Sequence, residues 1–149
     1  MIIRDTVPED ADALLDLGSR MHQRGRFSDY AMDFDRAQYI FTEILGQPRV
    51  FARSAWDGTL PLAMLFGEVT QDISIDINVA RTILMYGEGG FSAASAMRKL
   101  VKEFEAWAKS EGANWVCLDV SGGVDDYRSS QLFSRMGFEQ IGYPMLKEI

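Results

Sequence analysis

The stretch TILMYGEGGFSAASAMRKLVKEFEAWAKSEGANWVCLDVS, residues 82 to 121, holds a strand, a loop of small residues, a helix and a second strand, in that order. Its middle is the firmest part. Ala96, Met97, Leu100, Val101, Phe104, Trp107 and Ala108 recur at 3.6-residue spacing, and Gly112 ends the pattern. NWVCLDVS, residues 114 to 121, is a nearly continuous apolar run of the kind buried on both sheet faces. A strand, a crossover helix and a returning strand imply a parallel pair.

The loop before that helix admits two readings. Gly87, Gly89, Gly90, Ser92, Ala93, Ala94, Ser95 and Ala96 leave the backbone open to approach, with only Glu88 and Phe91 interrupting. A helix N-terminus carries unpaired N–H groups and partial positive charge, so such a loop suits a phosphate. Arg98, Lys99 and Lys102 add a basic cluster beside it. The same small residues also suit close packing of helix on sheet, and the loop by itself leaves both readings open.

On the N-terminal side, IIRD opens with β-prone residues. Thr6 and Glu9 match a capping box, Pro8 fits a first turn, and Leu14, Leu17 and Met21 share a helical face. RAQYIFTEIL predicts a second helix with Ile40, Phe41, Ile44 and Leu45 on one side, stopping at Gly46 and Pro48. RVFARSAWDGTLPLAMLFGEV reads as a hairpin turning at Asp57-Gly58. DISIDINVARTILMY reads as strand from Ile73 onward. After GGVDD comes a short helix carrying Leu132, Phe133 and Met136, stopped by Gly137, and FEQIGYPMLKEI predicts two closing strands. The order β-α-α-β-β-β-α-β-α-β-β is a mixed α/β domain with a mostly antiparallel sheet and one parallel pair.

The chain has 149 residues, within the range of one domain spanning 1 to 149, and its 47% hydrophobic and 25% charged content is that of a globular protein. Fifteen basic against 22 acidic residues give a net charge of -7, which argues against nucleic acid or an anionic membrane as partner. The single cysteine, Cys117, allows no internal disulfide and no thiolate zinc cluster, so no metal is expected, and its surroundings predict a small buried hydrophobe. No apolar run reaches membrane-spanning length and no signal peptide opens the chain, so the cytoplasm is the expected compartment.

Three stretches together resemble the GCN5-related N-acetyltransferases, the GNAT superfamily, over essentially the whole chain. IIRDTVPEDADALLDL is similar to that family's opening strand and helix, and residues 82 to 121 to its acetyl-CoA motif. LFSRMGFEQIGY is the most specific piece, a short helix ending in Met-Gly-Phe before a hydrophobic strand. The small-residue loop and the helix LVKEFEAWAKSEGA resemble phage-encoded members in particular. The resemblance implies a GNAT-like fold whose fourth and fifth strands splay apart around acetyl-CoA. Ile83, Met85 and Tyr86 would line the acetyl–pantetheine arm. Phe91, Ser92, Ala93, Ala94, Ser95, Ala96 and Met97 would offer the pyrophosphate their N–H groups, with Arg98 and Lys99 nearby. It also implies a small-molecule or peptide amine as acceptor, entering beside residues 22 to 36 and 68 to 78. A homodimer is allowed.

The chain departs from the family in two places. Ser92, Ser95 and Met97 occupy positions where the family carries Arg or Gln, then Gly, then Gly or Ala. Phe133 stands where a tyrosine commonly protonates the departing thiolate. Losing that acid removes on the order of 10²-fold or more in rate but leaves positioning and polarisation intact. Tyr86 and Tyr127 are candidate substitutes. Attack by an amine needs a base; Glu68 and Asp76 are the candidates, with Glu88 expected to point to solvent and His22 to line the acceptor side or lie on the surface. Arg20, Arg24 and Arg26 hint at an anionic feature on the acceptor. The expected activity is direct acetyl transfer in a ternary complex. The alternative is a catalytically weak GNAT-fold binding or virion-associated protein, and a nucleotide-binding α/β module is a weaker third, opposed by the antiparallel hairpin and single crossover.

Overall fold

The computed structural model describes residues 1–142 and 145–148; Tyr143, Pro144 and Ile149 lie outside the described residues. Five strands, β1 (Ile2–Asp5), β2 (Val50–Asp57), β3 (Leu60–Gln71), β4 (Asn78–Gly87) and β5 (Trp115–Cys117), form one sheet in sequence order. The first four are antiparallel neighbours and β4 runs parallel to β5. Among the described residues, four α-helices accompany them: α1 (Ala11–Arg24), α2 (Phe34–Tyr39), α3 (Gly90–Ser110) and α4 (Asp126–Ser134). This is the mixed α/β architecture the sequence predicts.

Each sheet face has its own core. The α3 stripe packs on Phe51, Leu65, Val69 and Ala80, and Phe133 of α4 joins the same cluster. Leu100, Val101, Phe104 and Ala108 have no exposed surface there. Burying side chains of this size contributes about 1.5–3 kcal/mol each. Gly67 makes the approach possible, since a Cβ at that point of β3 would fall 2.6 Å from the Phe104 ring. On the opposite face, Leu14 and Leu17 of α1 meet Phe41, Met64, Phe66 and Tyr86.

Several local expectations are corrected. Thr6 does not cap a helix: its hydroxyl is 3.0 Å from that of Ser54, which also accepts Trp56 Nε1–H at 2.8 Å. Asp10 does the work at that end, accepting the Val7 N–H at 3.0 Å and both terminal nitrogens of Arg4 at 2.6 and 2.7 Å. The hairpin turns one residue later than Asp57-Gly58, because Asp57 pairs with Leu60 and the loop is Gly58-Thr59. Only Gly58 of these two has positive φ, +59°, the pattern of a type II′ turn. The second helix starts at Phe34, with the Asp33 side chain accepting the Arg36 N–H at 3.0 Å, and passes into a π-helical segment, Ile40–Ile44, of which only Phe41 is buried.

The alternating run from Ile73 to Ile77 is not strand. Asp72 accepts the backbone N–H groups of Ser74 and Ile75 at 2.9 and 3.2 Å, a local competitor to strand pairing that leaves Ile73 and Ile75 exposed. β5 is three residues long and lies at the sheet edge rather than inside it, with Trp115 68% exposed and Cys117 half-buried. The two closing strands do not form among the described residues 138–142 and 145–148; Tyr143 and Pro144 of that stretch lie outside them. Among the described residues, no helix is long and apolar enough to cross a membrane.

Candidate active site

β4 and β5 share only three rungs, Val79 with Trp115, Ala80 with Val116 and Arg81 with Cys117. One more link follows, the Asp119 N–H donating to the Thr82 hydroxyl at 2.9 Å. From there β4 runs on to Gly87 with β3 on one side and, among the described residues, no strand on the other. A register shift at Phe66/Gly67 leaves Ile83 without a Cα partner on β3. Glu88 donates its N–H to the Leu62 carbonyl at 3.0 Å. By the two-residue period of an antiparallel pair, Tyr86 also turns its main chain to β3, while Met85 and Gly87 turn theirs to the open side.

This open edge leads directly into α3. The loop expected over residues 87 to 97 shrinks to Glu88-Gly89, because the Ser/Ala run is helical from Gly90, and alanine is the best helix former. The helix N-terminus has no side-chain cap, and Gly89 adopts φ +104°, open to glycine alone. The N–H groups of Gly89, Gly90, Phe91 and Ser92 are therefore the four without partners inside the helix. A Cβ on Gly90 would meet nothing within 4 Å, whereas one on Gly89 would lie 3.9 Å from Arg24 Nη1. From Ala93 onward the N–H groups are spent within α3. Ala93, Ala96 and Met97 are buried against the sheet, Ser95 is half-buried, and Ala94, Arg98 and Lys99 are exposed. An acyl-CoA cofactor fits this edge: it offers unpaired main-chain groups along β4 and an uncapped helix terminus for an anion.

Glu88 is only partly turned to solvent: its side chain is 38% exposed, and its carboxylate accepts from Arg20 Nε of α1 at 2.7 Å. Arg20 also pairs with Asp16 one turn earlier. Arg24 Nη1 lies 3.2 Å from the Glu88 carbonyl oxygen and 3.5 Å from the Tyr86 hydroxyl. Arg26 reaches Asp126 at the start of α4 at 3.3 Å, and its N–H donates to the Gly122 carbonyl at 3.1 Å. The three arginines thus tie the end of α1 to the β4–α3 and β5–α4 loops, and each has a carboxylate within 4 Å in its own chain. Burial raises the Tyr86 phenol above its ordinary range, with the Glu88 charge adding to the effect, so it stays protonated at neutral pH.

The remaining candidates are dispersed. Glu68 is half-buried at the Arg81 level of the sheet, on the α1 side by alternation from Met64 and Phe66. Asp76 is exposed in the β3–β4 loop, 3.3 Å from Gln71 Nε2. At about 3.3 Å per residue β4 spans roughly 30 Å, and Asp76 precedes its far end from Gly87. Tyr127 is exposed on α4, its hydroxyl accepting from Gln131 Nε2 at 2.8 Å. Phe133 is buried, edge-on to Phe138 at 6.3 Å, as a core residue. His22 lines a cavity of about 160 Å³ between α1, the α2 region and the sheet, and its Nε2 lies 2.6 Å from the Tyr30 carbonyl oxygen. No sequence signal marks the Arg20–Glu88 and Arg24–Tyr86 contacts, which join residues more than sixty positions apart.

No protein-family model and no curated protein matches the sequence. Solved structures do match, over nearly all of both chains. An aminoglycoside antibiotic 6'-N-acetyltransferase from Acinetobacter haemolyticus aligns with a TM-score of 0.71 at 15% identity, covering 100% of each chain. A ribosomal-protein-alanine N-acetyltransferase from Brucella melitensis biovar Abortus 2308 aligns at 0.74 and 10% identity, also covering 100% of each. A transcriptional regulator from Bacillus halodurans C-125 aligns at 0.73 and 16% identity over 99% of each. A five-stranded mixed sheet opening between β4 and β5, matched end to end by acetyltransferases of known structure, gives this chain the GNAT fold.

Proposed function

We propose that the chain is an N-acetyltransferase that moves an acetyl group from acetyl-CoA to a primary amine by direct attack in a ternary complex. The observation that carries this reading is the parting of β4 from β5 after Arg81 and Cys117, with the free edge of β4 ending at the uncapped N-terminus of α3. The structural likeness to acetyltransferases of several kinds supports it.

Acetyl-CoA, when bound, supplies an activated thioester; the rest is the chain's own work. Met85 and Gly87 offer main-chain donors and acceptors along the open edge, and extended ligands add to such edges as strands do. The N–H groups of Gly89 to Ser92, with the Ser92 hydroxyl, hold the pyrophosphate. Tyr86 and Tyr127 are the phenols on hand to protonate the leaving thiolate. Tyr86 is on the stretch of β4 past its pairing with β5 and keeps its proton, which favours it of the two. Glu68 is better placed than Asp76 to accept a proton, because it is half-buried on the sheet face covered by α1 and the π-helical segment. Acceptor entry beside the first two helices, and a cytoplasmic setting, accord with this reading.

Release of free thiol from acetyl-CoA in the presence of a primary amine tests the activity. Tyr86→Phe should lower turnover by about 10²-fold, and Tyr127→Phe should leave it near wild type. Equal rates for all three proteins would remove both phenols from the mechanism. Acetyl-CoA binding without turnover on any amine would instead favour a binding protein built on this fold.

A further inference from the structure

Resting on the reading above, we propose that the acceptor is a primary amine carrying one compact apolar group, an arylalkyl or branched alkyl amine, with that group seated in the cavity beneath β4. The cavity measures about 160 Å³ and lies between α1, the α2 region and the sheet face. A dry, hydrocarbon-lined cavity of about that size holds a benzene ring. Leu14 and Met21 of α1, Phe41, Met64 and Leu84 supply its walls.

Position ties the cavity to the site. Leu84 belongs both to the stretch of β4 past its pairing with β5 and to the cavity wall. Met64, another wall residue, is the register partner of Tyr86. An apolar group held here therefore leaves its amine close to the open edge where the thioester would lie.

Charge sets the rest. Among the described residues, none lining the cavity is a carboxylate, and His22 is the sole polar one. A polycationic acceptor would find no counter-charge inside. His22 Nε2, 2.6 Å from the Tyr30 carbonyl oxygen, carries the hydrogen and donates it. In the neutral ring, Nδ1 is then the nitrogen left to accept from one ammonium or amine group. One cationic head beside one apolar body matches that lining.

The test uses the full chain, with 2-phenylethylamine, 3-methylbutylamine, ethanolamine and kanamycin as acceptors. The two apolar amines should exceed ethanolamine and kanamycin in kcat/KM by about tenfold or more, the scale of seating one hydrocarbon group. Gly18→Leu and Ala37→Leu both place bulk in the cavity. A Cβ at Gly18 makes only ordinary contact, 3.7 Å from Met64 Cε and 4.0 Å from Met32 Cε, so the helix accepts it. Each variant should raise KM for 2-phenylethylamine by about tenfold or more while acetyl-CoA affinity, read by calorimetry, is retained. Ethanolamine or kanamycin as the best acceptor, or unchanged KM in both variants, would overturn the proposal while leaving acetyl transfer standing. Failure to bind acetyl-CoA would strike the activity instead. Ligand-observed NMR of 2-phenylethylamine with the free protein still decides the cavity: binding lost in Gly18→Leu supports it, and no binding to wild type overturns it.

Discussion

Asp119 donates its backbone N–H to the Thr82 hydroxyl at 2.9 Å, and among the described residues this is the last hydrogen bond between β4 and the chain that follows β5. It sits immediately past the final rung, Arg81 with Cys117. A side chain thus ends the parallel pairing where the main chain stops, and the two segments part from that point. The unpaired edge of β4 and the α3 terminus it leads into are consequences of this early ending.

Ser92→Asp separates helix stability from ligand binding. Ser92 is exposed in the first turn of α3, where a carboxylate interacts favourably with the helix dipole, by about 0.3–1 kcal/mol. The same charge repels a pyrophosphate. Thermal unfolding should show a variant as stable as wild type or slightly more so, and calorimetry should show acetyl-CoA affinity weakened about tenfold or more.

Phe133→Tyr asks whether the missing phenol can be restored. The ring is 4% exposed within the α3-side core, so a hydroxyl there is buried without a ready partner. Stability should fall by about 1–3 kcal/mol in chemical denaturation, and turnover should not rise. A rise in turnover would mean that the side chain reaches the thioester after all.

Gly67→Ala tests how α3 sits on the sheet. The new methyl would lie 2.6 Å from two ring atoms of Phe104 and 2.8 Å from the Arg81 carbonyl oxygen. Phe104 has no exposed surface and the carbonyl belongs to β4, so neither yields easily. Denaturation should show a loss near the upper end of the ~1–3 kcal/mol typical of overpacking.

Asp10→Asn addresses pH. The Arg4 guanidinium, aided by the Val7 N–H, holds the Asp10 carboxyl below the usual carboxylate range against the opposing effect of burial. A carboxylate with a depressed folded-state pKa stabilises the protein above its unfolded pKa, and that stability is lost as pH falls through the folded value. Because Arg4 is 42% exposed, the pair contributes only about 1 kcal/mol. Asp10→Asn should therefore cost about that much at pH 7 and progressively less as pH falls through the depressed folded-state value, read as the difference between two denaturation curves.

The fold was legible where periodicity and turn chemistry act locally. The α3 stripe, the Leu14–Leu17 face and the hairpin all stand close to where spacing predicts them. Pattern misleads where a side chain outcompetes it, as Asp72 does in binding the amides that would continue β4 backward. Small residues have two meanings: SAASA suits a loop by size and a helix by propensity, and propensity prevails. Trp115 looked interior by composition but lies on an edge strand, a matter of neighbours that alternation cannot reveal. Within the site, the small-residue approach to α3 was visible, whereas the direction of Glu88 was not. Its partner Arg20 lies 68 positions away in the sequence, and only the fold brings the two together.

Calorimetric titration of the 149-residue chain with acetyl-CoA tests the central claim most directly. A single site with a dissociation constant on the order of micromolar, about −8 kcal/mol, and clear weakening in Ser92→Asp is the predicted result. No binding heat at about millimolar cofactor, where even −4 kcal/mol would register, would contradict it.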